Sequence, residues 1–110
     1  MDDNIYSSLS AIAPTFYKLA PRDDTPLPII NYYYILAEPL RRSDNSYSRS
    51  KRLVVQIECF AWTGIDDFAD RVENEMKTIG GVLRSKDWIT DTKAQGISFE
   101  FEFFQIVEED

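Results

Sequence analysis

Residues 97–107, ISFEFEFFQIV, constrain this chain more than any other stretch. Ile97, Phe99, Phe101 and Phe103 fall on one side of an extended segment, and Ser98, Glu100 and Glu102 on the other. A strand of this kind is half-buried and needs a second layer over its apolar face. The sequence offers one at residues 66–79. Phe68, Ala69, Val72, Met76 and Ile79 make an apolar stripe at helical spacing. Asp66 and Asp67 sit at the positive end of that helix dipole, and Gly80 and Gly81 supply a left-handed stop.

The other segments follow the same logic. Ile5, Leu9 and Ile12 predict a short amphipathic helix over 3–13, closed by Pro14. TFYKL, at 15–19, reads as a brief strand, and 20–28 (APRDDTPLP) as a proline-marked loop. IINYYYILA, at 29–37, is β-branched and aromatic and reads as a buried strand ended by Pro39. In LVVQIECFAW, at 53–62, the face of Leu53, Val55, Ile57, Cys59 and Ala61 is the more apolar, and so the core side. A further strand is expected around Trp88 and Ile89, with a turn over 91–96. The order of elements lacks regular strand and helix alternation. It predicts an α+β fold, an antiparallel sheet with two helices packed on one face, in a single domain over 1–110.

Composition limits the function classes. A net charge of -7 argues against a surface built for bulk nucleic-acid binding, which needs cations to displace phosphate counterions. MDDNIYSSLSAIAP lacks the basic start and apolar run of a signal peptide, and no stretch approaches the ~20 apolar residues of a membrane span. The expected setting is a cytoplasm, or a particle assembled there, with no membrane partner.

Little in the sequence points to catalysis. The chain has no histidine, so its one cysteine, Cys59, has no imidazole to activate it and reads as a buried thiol. The carboxylate pairs Asp23 with Asp24, Asp66 with Asp67, and Glu100 with Glu102 read as solvated surface charge rather than acid/base or metal sites. Gly80 and Gly81 follow a helix and cannot cradle phosphate as a loop opening a helix does. The reading is of a protein that works by assembly, with no catalytic residue, metal or cofactor assigned.

Charge segregation is the feature with functional content. Residues 41–52, RRSDNSYSRSKR, hold Arg41, Arg42, Arg49, Lys51 and Arg52 against Asp44 alone, a net of +5 - 1 = +4 that leaves -11 for the rest. Two readings stay open: a solvated hairpin loop, or a basic arm that engages an acidic surface on another copy or DNA. On the second reading these five residues are the candidate oligomer interface.

The order of motifs resembles the small tail-completion or tail terminator proteins of long-tailed bacteriophages, which join head to tail. The matching stretches run from PTFYKLAP and LPIINYYYILAE through SRSKRLVVQIECFAWTG and IDDFADRVENEMKTIGG to WITDTKAQGISFEFEF, nearly the whole chain. The resemblance implies a ring, a hexamer in the virion, at the head-proximal end of the tail tube. It also implies contacts with the major tail protein and a head-completion or connector protein, with DNA as passing cargo. KAQG stands where aromatic and basic residues are expected before the last strand, which leaves tail terminator and head-side connector both open. A small acidic inhibitor or DNA-mimic protein of phage origin is the rival reading.

Overall fold

The computed structural model describes residues 2–18, 26–41, 47–90 and 93–105; for 2, 3, 40, 41, 47–50 and 105 it describes the backbone alone. Helix α1 spans Asp2–Ser10, strands β1 and β2 span Thr15–Tyr17 and Ile29–Arg41, and β3 spans Tyr47–Ala61. Helix α2, Ile65–Thr78, is followed by β4, Val82–Ile89, and β5, Gln95–Gln105. The five strands form one sheet in the order β1-β2-β3-β5-β4. The fold is α+β.

The sheet is mixed rather than purely antiparallel. β1 runs parallel to β2 through Thr15↔Ile30, Phe16↔Asn31 and Tyr17↔Tyr32, while every other pairing is antiparallel. Its three residues and Pro14 give no period from which direction could be read. The N–H of Ile30 donates to the carbonyl of Pro14 at 2.9 Å, which fixes the entry into this pairing.

Alternation on β5 has the predicted effect. Ile97, Phe99, Phe101 and Phe103 are buried and belong to one core cluster with Leu53, Val55, Ile57, Cys59 and Ala61 of β3. The same cluster takes Ile5 and Leu9 from α1, and Ile65, Phe68, Ala69, Val72 and Met76 from α2. At the end of α2, Gly80 has φ +100 and Gly81 donates from its N–H to the carbonyl of Met76 at 2.8 Å, the left-handed stop expected. A Cβ on Gly81 would meet both that carbonyl and the Phe103 ring at 2.8 Å, so this glycine allows the helix exit to pass close to β5.

Several boundaries differ from expectation, and β5 begins at Gln95, inside the turn expected over 91–96. α1 ends at Ser10, and residues 11–13 form a turn closed by the N–H of Ala13 on the carbonyl of Leu9, 3.2 Å. Pro39 does not end β2. It pairs with Lys51, and because among the described residues β1 pairs only with 30–32, this part of β2 is a sheet edge, where proline is tolerated. β3 begins at Tyr47, well before the apolar run, so the polar 47–52 stretch is strand and only 42–46 separates it from β2. A long partner strand stabilises those residues in extended form despite their lack of apolar alternation.

Candidate interaction surface

The register places the five candidate interface cations unequally. Arg41 is the last residue of β2, opposite Tyr47, and Arg49 and Lys51 lie on β3. Arg42 lies outside the described residues. Among the described residues the last pair between β3 and β5 is Lys51↔Gln105, and Arg41 and Arg49 stand further along the hairpin than that pair. Lys51 is exposed. Of the basic loop expected over 41–52, Arg41 and residues 47–52 are strand instead, and 42–46 lie outside the described residues.

Arg52 belongs to a different structure. Its Nε donates to Oε2 of Glu102, and its Nη1 lies 3.2 Å from Oε1 of Glu38, while Nη1 of Arg84 lies 3.7 Å from the other oxygen of Glu102. Glu38, Arg52, Glu102 and Arg84 come from β2, β3, β5 and β4, and form a transverse row of alternating charge across four strands. Hydrogen bonding to Glu102, and then to Glu38, holds the Arg52 guanidinium above its ordinary pKa. Glu102 is only 7% exposed, so its expected place among solvated surface charges is overturned. Val54, opposite Glu102, is buried on the same side, and paired guanidinium groups satisfy the carboxylate there. Alternation gave the correct side of the strand; the partner that buries Glu102 lies 50 residues away and left no local signal.

Among the described residues, the buried helix residues belong to the core cluster with Val55, Ile57 and Phe99, and the side of the sheet that carries Glu102 is polar along its centre. Register aligns Asn31, Glu58, Ser98 and Asp87 in one row, and Tyr33, Gln56, Glu100 and Ser85 in the next. Nδ2 of Asn31 donates to Glu58 at 2.9 Å. Between the two rows stand three carboxylates, Glu58, Glu100 and Asp87, with no cation.

At the opposite end of the hairpin lies a groove of about 430 Å³, walled by Leu27, Pro28, Trp62, Asp67, Phe68 and Arg71 among others. The Leu27–Pro28 peptide is cis. Thr63 and Gly64 turn the chain from β3 into α2; Gly64 has φ 68, and its carbonyl accepts from the N–H of Phe68 at 3.1 Å. This turn leaves Trp62 55% exposed, in the same groove wall as Asp67 of the first turn of α2. Asp66 and Asp67 are exposed as expected, whereas Asp23 and Asp24 lie outside the described residues. Among the described residues, no group of three or more His, Cys, Asp or Glu could hold a metal ion.

Comparison adds no family to this geometry. No family model matches the chain, and no curated protein matches it. Cys59 is fully buried in the core, and burial pushes its thiol up to about 12, with a smaller contribution from Glu58. At neutral pH it is a protonated, apolar packing group. No described helix is long and apolar enough to cross a membrane.

Proposed function

We propose that this chain is a structural virion protein that forms a ring at the head-proximal end of a phage tail, ending tail polymerisation and joining tail to head. What supports this most is the segregation of charge along the hairpin: Arg41, Arg49 and Lys51 at its far end, and an acidic body carrying the remaining negative charge. A contact between unlike patches on successive copies is heterologous, and such contacts close into rings where the rotation permits. The molecule is elongated, 51 × 23 × 21 Å, which sets its two ends well apart. The ring's partners in this reading are the major tail protein and a head-completion or connector protein, with DNA passing through.

The test is to add the purified chain to uncapped phage tail tubes and image them by electron microscopy. A ring at one end of each tube, and an end to further polymerisation, is the expected result. A stable dimer with two-fold symmetry that leaves the tubes growing would overturn it. The acidic face, with Glu58, Glu100 and Asp87 in neighbouring rows, favours a second reading as a DNA-mimic inhibitor. That reading requires a monomer or dimer that displaces DNA from a DNA-binding protein, and no effect on tails.

A further inference from the structure

We propose, building on the ring reading, that the cationic end of the β2–β3 hairpin of one copy docks into the Trp62 groove of the next. The two features lie at opposite ends of the same hairpin. β2 enters from Leu27 and Pro28 in the groove wall and leaves at Arg41, while β3 runs back from Tyr47 to Ala61 beside Trp62. From Lys51 to Ala61 the strand covers roughly 33 Å at about 3.3 Å per residue. A copy therefore cannot bring its own cations to its own groove, and the contact must join two copies.

The chemistry of the two ends is complementary. An exposed indole beside carboxylates suits a guanidinium or ammonium group, which stacks on the ring face and pairs with the acid. Trp62 is more than half exposed, and Asp67 lines the same groove with Asp66 next to it. Among the described residues neither aspartate has an ion-pair partner, in contrast to Glu73, which holds Lys77 and Lys86, and Glu102, which holds Arg52. Arg71 is the cation in the groove wall. Lys51 supplies an exposed cation on the incoming strand end, where the sequence also has Arg41 and Arg49, and Arg52 is withheld from the contact by its own carboxylates. Donor and acceptor lie at opposite ends of the molecule, so the contact can repeat from copy to copy and closes into a ring where the rotation permits.

The experiment uses a mixture of nitrogen-14 and nitrogen-15 labelled chain at low salt, treated with a carbodiimide that joins amines to touching carboxylates. Mass spectrometry is expected to find Lys51 joined to Asp66 or Asp67 across the two isotopes, with the yield lost at high salt. Trp62→Ser, which alters an exposed side chain and leaves the core intact, should cut that yield about tenfold, and Arg41→Ser with Arg49→Ser should also lower it. Absence of cross-isotope links between Lys51 and the start of α2, or an undiminished yield in a folded Trp62→Ser chain, overturns the contact. Capped tail tubes without these links would refute the contact and spare the ring; these links without capping would refute the ring and spare the contact.

Discussion

Glu102 and Arg52 meet across β3 and β5, and their pairing is the residue-scale feature with the clearest energetic consequence. Replacing Glu102 by Ala leaves Arg52 with Glu38 alone and opens a hole beside buried Val54. We expect a loss of about 1–3 kcal/mol, the range for leaving a partly buried polar group without its partner, read from the urea midpoint. Its neighbours on β5 calibrate that number. Phe101 is fully buried opposite Val55 and Leu83, so Phe101→Asp removes an aromatic core residue, worth about 3–5 kcal/mol, and buries a charge as well. No cooperative thermal transition is expected for that variant. Glu100→Gln, on the half-exposed side, should stay within about 0.5 kcal/mol of the parent; equal melts for the Phe101 and Glu100 variants would contradict the register of β5.

Among the elements, α2 and β4 are joined by charge as well as by core packing. Nζ of Lys77 lies 2.7 Å from Glu73, and Nζ of Lys86 on β4 lies 3.3 Å from it. The hydrogen bond from Lys77, with that from Lys86, holds the Glu73 carboxyl below its usual range. A carboxyl depressed in the folded state binds its proton more readily when unfolded, so its stabilisation is complete above the ordinary carboxylate pKa and is lost as pH falls through the depressed value. Glu73→Gln should flatten the acid limb of the stability curve and cost less than about 1 kcal/mol at neutral pH, the range for exposed pairs. Thermal melts from neutral to acid pH measure both. α2 and β5 illustrate how much of the fold is legible. The stripe from Phe68 to Ile79 and its glycines gave α2, and alternation in β5 gave the core face with Phe99, Phe101 and Phe103 on the correct side. Residues 47–52 were illegible because what makes them strand is pairing with β2, and nothing apolar recurs among them. The direction of β1 was hidden for the same reason, as was the difference between exposed Lys51 and paired Arg52.

For the whole molecule, that difference separates assembly from stability. Replacing Arg41, Arg42, Arg49 and Lys51 with Ser should leave the melting profile unchanged while abolishing the capping of tail tubes, an effect that raised salt on the parent chain should reproduce. Adding Arg52→Ser should lower the melting temperature by several degrees, since Glu102 then loses its main donor. Normal capping by the four-site variant would place the interface elsewhere. The strand order carries a consequence of another kind, in time. β5 is the last strand in sequence yet lies between β3 and β4, and Leu53↔Phe103 closes a span of fifty positions. Closing a flexible loop of that length costs about 3.5 kcal/mol in chain entropy, against about 1.6 for a hairpin turn of six. The β2–β3 hairpin, α2 and the β4–β5 hairpin closed at Ile89↔Gly96 can form early, whereas the pairing of β5 with β3 comes late. Until then β3 exposes an open row of amide and carbonyl groups flanked by Leu53, Val55 and Ile57, a template on which any extended chain can pair. Refolding from denaturant should therefore be a race between β5 and neighbouring molecules, with a yield that falls as protein concentration rises.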